Sequence, residues 1–230
     1  MSEGHWIVNK VIAGHSMAFN MDTLVTMWAA MAFLIIVSFI ATRKLIFPTK
    51  LQLVFENILG YFSNLVNNMM PKEGQKHFPL IASLFLFIVT ANIMGQLPFK
   101  MIQLKQGELA SPTNDINLTA GLAVIVLIYY VTAGLIKKKG HFLLHEFSFV
   151  GIISMLVEIL ELFTRPLTLA LRLFGNILAG EILITALLGL CAWGLPLPIM
   201  FFEILVACVQ ALVFTMLTTV YIATAVNTEE

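Results

Sequence analysis

A lone arginine, Arg172, stands in the apolar run LTLALRLFGNILAGE, with no other charge within six residues on either side. Placing a guanidinium at the centre of a membrane helix costs about 2.5–3.5 kcal/mol on insertion scales. A chain that keeps a charge there is expected to use it, and a snorkelling or ion-paired structural arginine is the plainer alternative. Glu158 and Glu161 precede Arg172 by fourteen and eleven residues, and Asn176 and Glu181 follow it by four and nine. At about 100° per residue, Glu158, Glu161, Arg172 and Asn176 fall within one half of a helix. Glu181 is rotated by about 180° from Arg172 and lies about 13 Å further along the axis. Downstream, Glu203 and Gln210 are seven residues apart. They therefore share a helix face and differ in height by about 10 Å.

Carboxylates on both sides of a fixed cation, all in apolar surroundings, are what an interrupted ion path requires. A continuous polar pore would leak, whereas two offset half-pathways with a cation between them would not. In this reading Glu158 and Glu161 serve the inner side, and Glu181 and Glu203 the outer side. Each residue also has a structural alternative. Glu158 and Glu161 could be solvated at an interface, and Glu203 could mark a helix end beside Pro198. Asn176 and Gln210 could be interhelical hydrogen-bond partners, worth about 0.6 kcal/mol on average. The set around Arg172 is more specific than any member alone.

The elements that must position these residues are membrane helices. Hydrophobic residues make up 59% of the 230 and charged ones 11%, less than half the soluble norm of about 25%. The expected fold is an all-α integral membrane protein of one domain. About five transmembrane helices are expected over 23–42, 78–97, 116–136, 149–193 and 198–226, after an N-terminal segment, 1–22, placed outside. The first three are each about twenty residues, enough to cross a hydrocarbon core of about 30 Å. The fourth, at about 45 residues, would measure roughly 67 Å. It either breaks near Pro166 into a re-entrant hairpin and a span, or runs as one long slanted helix. The second reading is preferred, because no polar turn surrounds Pro166. The last two helices are then long and strongly tilted.

Over 50–70, Leu51, Phe55, Ile58, Leu59, Phe62, Leu65, Val66 and Met69 recur at helical spacing, opposite Gln52, Glu56, Asn57, Asn64 and Asn67. This predicts an amphipathic interfacial helix. Its apolar face is expected to meet lipid, with a partner helix as the alternative. Arg43, Lys44, Lys50, Lys72, Lys76 and Lys137 to Lys139 fall on one side of the membrane, and only Lys10, Lys100 and Lys105 on the other. The positive-inside rule then puts the N-terminus outside and the C-terminus in the cytoplasm.

Several classes are excluded or disfavoured. Formal net charge is zero, so nothing points to nucleic acid. His5, His15, His77, His141 and His145 all fall outside the apolar runs, so no intramembrane pair is available for haem or copper. Cys191 and Cys208 read as small apolar residues rather than a disulfide or metal site. No cofactor or metal is expected. There is no GxxxxGK[ST], HExxH or GxSxG pattern, so the chain is not expected to be catalytic by itself. Met1 to Asn20 is mixed and polar, and no cleaved signal is expected. A stand-alone transporter would predict internal repeats or paired broken helices, and the sequence shows neither. A purely structural assembly subunit would tolerate loss of Arg172.

The segment RPLTLALRLFGNILAGE, the later VQALVFTMLTTVYIATA, the upstream ANIMGQLP and the TNDINLT that opens the third span together resemble subunit a of the F-type ATP synthase membrane sector. The resemblance covers nearly the whole chain from the first span onward. It implies a stator ion channel that passes protons, or sodium ions, to and from carboxylates on a rotating ring of c subunits. It also implies peripheral-stalk b subunits, other ATP synthase subunits and the lipid bilayer as partners. By the same resemblance Arg172 matches the family's essential arginine, and Gln210 the glutamine opposite it. Asn176, Gly180 and Glu181 match positions lining the outer half-channel. Glu158 matches the acidic residue of the inner one, and Glu203 a position that varies between His and Glu. Gly175 and Gly180 would permit close helix packing against the ring. Glutamate at both 181 and 203 departs from members that pair one His with one Glu. The location implied is a bacterial plasma membrane, with an organelle inner membrane as the alternative.

Overall fold

The structure is a computed structural model that describes residues 7–12, 15–42, 50–96, 112–138, 149–190, 194 and 196–227. It is nearly all helical, and five of its helices are long and apolar enough to cross a membrane. The N-terminal segment adds an element that its mixed composition did not announce, an antiparallel hairpin of β1 (Ile7–Ile12) and β2 (His15–Asn20). Its register runs from Ile7 opposite Asn20 to Ile12 opposite His15.

Helix α1 (Met21–Thr42) follows directly from the hairpin. It buries only Asp22, Thr23, Ala30 and Ala41 and exposes Trp28, Ile35 and Phe39. Such apolar exposure suits a helix that faces lipid, because the bilayer rather than the protein takes up that surface.

Helix α2 (Lys50–Met69) is amphipathic. Along its second half its apolar face packs inward against the rest of the chain. Phe62 and Val66 are fully buried, and the Phe62 ring lies 4.5 Å from that of Phe85 on α3 (Gly74–Gln96). The apolar residues that α2 does expose, Leu53, Val54 and Tyr61, lie off the predicted stripe. The turn into α3 is tight at Gly74, where a β-carbon would sit 2.9 Å from the Val66 carbonyl oxygen.

Helix α4 (Ile116–Lys138) has a side-chain cap. The Asp115 carboxylate accepts the Asn117 amide at 2.9 Å, satisfying one of the unpaired N–H groups of the first turn. The same carboxylate accepts Asn20 Nδ2 at 2.9 Å and the Thr23 hydroxyl at 3.2 Å. One acid thus joins the starts of α1 and α4.

Helix α5 (Phe149–Leu190) is a single element of 42 residues with Pro166 inside it. Pro166 cannot donate to the Leu162 carbonyl. The Thr164 and Thr168 hydroxyls flank it, bonded to the Leu160 and Thr164 carbonyls at 2.8 and 2.9 Å. At 1.5 Å per residue α5 is about 63 Å long, about twice the hydrocarbon thickness. Helix α6 (Pro196–Val226) starts on a proline at its first position, where the missing N–H costs nothing.

The core lies where α3, α4, α5 and α6 meet, around Ile81, Ile88, Val126, Tyr130, Leu169, Leu173, Phe214 and Ile222. Ala91, Ala123, Ala207 and Ala211 are also buried there. Small residues let backbones approach closely where lipid removes the usual hydrophobic drive between helices.

Candidate functional site

Helix α5 buries one side, through Leu169, Ala170, Leu173 and Ile177. Arg172 points the other way and is exposed. It stands about 18 Å from one end of the span Leu160–Leu187 and about 22 Å from the other. Thr164, Thr168, Gly175, Asn176 and Ala179 are exposed beside it. They share its side of the helix, since they recur at intervals of three and four. The outward face of α5 is therefore a stripe of small and polar residues with a guanidinium in the middle, flanked by exposed Leu167, Leu171 and Ile182.

Helix α6 carries its two polar candidates on the opposite kind of surface. Glu203 and Gln210 are 8% and 6% exposed, on one buried face with Ala207 and Phe214. The Glu203 carboxylate lies directly against Gly180 of α5, where an added β-carbon would collide with it. That contact fixes the height of α6 against α5. The two helices are consecutive and antiparallel, so opposing Gly180 with Glu203 brings Arg172 level with Ala211, next to Gln210. Arg172 and Gln210 thus share a level near mid-membrane, one facing outward and the other buried. Asn92 of α3, wholly buried, donates from Nδ2 to the Ala207 carbonyl at 3.3 Å. It adds a third polar side chain between the heights of Glu203 and Gln210.

Toward the other end of α5, Glu161 is exposed and ion-pairs with Arg165 one turn later. The Arg165 guanidinium sits 5.0 Å from the Tyr221 ring centroid and 5.9 Å from that of Tyr130, within cation–π range. The side chains of Glu158 and Glu181 lie outside the described residues. Of the candidates read from sequence, the structure brings Glu203 to Gly180, and places Arg172, Gly175 and Asn176 on one outward face. It gives Glu161 a partner in Arg165. Asn92 and the two tyrosines were not singled out by sequence reasoning. An asparagine in an apolar span was the available signal for Asn92, whereas the tyrosines needed the fold. Among the described residues no His, Cys, Asp and Glu cluster could hold a metal ion.

The class this architecture defines is a polytopic helical membrane protein with a fixed charge at mid-span. A family profile described as ATP synthase A chain matches residues 24–223. The chain is 42% identical over 208 residues to "ATP synthase subunit a" of Gloeobacter violaceus, covering 90% of this chain and 84% of that protein. The chain belongs to the ATP synthase subunit a family, and is a non-catalytic, multi-pass component of the F-type ATP synthase membrane sector that serves ion transport and ATP synthesis.

Proposed function

We propose that this chain is the stator ion channel of its ATP synthase, with two offset half-channels separated by Arg172. The observation that carries this reading is the outward guanidinium at mid-span on a stripe of small residues. Facing lipid, that charge would cost several kcal/mol. Facing a ring of c-subunit helices that each bear a buried carboxyl, it has an opposite charge to meet, and Gly175 and Ala179 leave room for close approach.

The energetics suit ion transfer. A ring carboxyl in apolar surroundings stays protonated, because burial can raise its pKa by as much as 3–5 units. A guanidinium about 4 Å away contributes roughly 4 kcal/mol at an effective dielectric of 20. That is about three pKa units downward. A carboxyl arriving at Arg172 releases its ion into one half-channel, and a carboxyl leaving it takes up another from the second. Arginine suits this position because it remains charged throughout. A membrane potential supplies about 2.3 kcal/mol per charge per 100 mV.

Glu203, Gln210 and Asn176, with Glu181, line the outer route in this reading, and Glu158 and Glu161 the inner one. The ion is a proton, with sodium the alternative, since the ring site sets the choice. The N-terminus lies outside and the C-terminus in the cytoplasm of a bacterial plasma membrane, with α5 and α6 strongly tilted against the ring. Peripheral-stalk b subunits hold the chain still. The test is ion-driven ATP synthesis in liposomes holding the purified complex, with Arg172→Ala beside wild type at equal assembly. Loss of synthesis supports the gate, and synthesis at near wild-type rate sinks it.

A further inference from the structure

At the end of the bundle where α2 turns into α3 and α4 stops, a cavity of about 390 Å³ is lined by Glu73, Lys76, His77, Tyr129, Ile136 and Lys137, among others. A second cavity of about 310 Å³ adjoins it through Glu73 and Lys137 and is also lined by Lys72. His77 is only 7% exposed. Its Nδ1 is 3.0 Å from the Tyr129 hydroxyl, and the two rings meet edge-on at 5.7 Å. Its Nε2 is buried and has no hydrogen-bond partner among the described residues. Buried polar atoms are nearly always satisfied, so this nitrogen leaves a hydrogen-bonding demand unmet on a residue that lines the cavity. In the tautomer whose Nδ1 accepts from the Tyr129 hydroxyl, Nε2 carries the proton and requires an acceptor.

The charges around His77 favour an anion. Lys137 is held by Glu73, which faces the same cavity, while Lys76 makes no side-chain ion pair among the described residues. Beyond the polar mouth, Ile128, Leu135 and Ile136 are exposed along α4, with Ile136 81% exposed. A phosphate held by Lys76 and His77 would therefore sit at the head of an open apolar face within a membrane span. We infer that this cavity binds the phosphate headgroup of an anionic phospholipid, with the acyl chains lying along the outer face of α4. Basic pockets between membrane helices bind such headgroups. A free phosphate ion would use the same donors but would gain nothing from the apolar face.

The test uses the whole purified complex in nanodiscs containing a photo-crosslinking phosphatidylglycerol, with a matched phosphatidylcholine probe in parallel. Labelled peptides are mapped by mass spectrometry. The expected result is phosphatidylglycerol labelling at 128–137, little labelling by phosphatidylcholine, and a fall of about fivefold in Lys76→Gln. Glu73→Gln removes the one carboxylate among the described residues that line the cavity and should raise labelling. Lys50→Gln, remote on α2, should leave it unchanged. Equal labelling by both probes, or in Lys76→Gln and wild type, would overturn the site. Displacement of the label by inorganic phosphate but not by excess unlabelled phosphatidylglycerol would overturn the lipid assignment. Lys76 is exposed, so its variant should assemble, and Glu73→Gln gives a change of opposite sign if it does not.

Discussion

The Glu203 carboxylate rests on Gly180, so closely that the smallest side chain added to α5 would displace it. This contact sets the height of α6 against α5 and so puts Gln210 level with Arg172. Gly180→Ala is expected to destabilise the protein by about 1–3 kcal/mol, the usual cost of overpacking. It should also slow ion-driven ATP synthesis. Glu203→Ala in the same chain should restore thermal stability but not synthesis. If the double variant melts no higher than Gly180→Ala alone, the clash is not what limits stability.

Arg172 is exposed, so replacing it leaves no hole in the core. Arg172→Ala should assemble and melt no lower than wild type, since it takes a costly charge out of an apolar span. It should nevertheless abolish coupled synthesis. Arg172→Lys should retain little activity, because a lysine can lose its proton in such surroundings. Thermal unfolding and ATP synthesis measured on the same proteoliposomes check both halves. A large loss of stability in Arg172→Ala would reassign the arginine to packing.

Arg165, seven residues away, behaves differently. It is held by Glu161 and by the faces of Tyr221 and Tyr130. Arg165→Gln should lower stability by about 0.5–2 kcal/mol, the range of partly desolvated cation–π contacts. It should reduce synthesis without abolishing it. Tyr221→Leu should reproduce much of the stability loss. If Arg165→Gln is as inactive as Arg172→Ala at equal assembly, the chain contains two essential cations and the single-gate reading fails.

Asp115 joins α1 to α4. Burial raises its pKa, but the hydrogen bonds from Asn20, Asn117 and Thr23 outweigh that and hold the carboxyl below its ordinary value. A depressed folded pKa means that the stabilisation is present above the unfolded value of about 3.9 and is lost as pH falls through the folded one. Protection of the amides in the first turn of α4, taken relative to their intrinsic exchange rates, should therefore fall below about pH 4. Asp115→Ala should lose about 0.5–2 kcal/mol as a helix cap, and Asp115→Asn less. Unchanged exchange in Asp115→Ala would show that the cap contributes nothing.

The sequence by itself determined the five apolar helices, because a bilayer leaves the backbone no alternative there and length and hydropathy mark each one. It also marked Arg172, whose cost in an apolar run is independent of the fold. Periodicity placed Glu203 and Gln210 on one face. Other features were not legible, since each depends on neighbours far apart in the chain. The apolar stripe of α2 could be read, but not that α3 would cover Phe62 and Val66. The strand pair Ile7–Ile12 and His15–Asn20 needs two strands to find each other, and its composition gave no apolar alternation strong enough to announce it. Arg165 reaches Tyr130 and Tyr221 only when α4, α5 and α6 pack together. Above all, the direction in which Arg172 points was decided by packing. Leu169, Leu173 and Ile177 face the core, and helix geometry leaves the guanidinium on the outer face, where only another molecule can meet it.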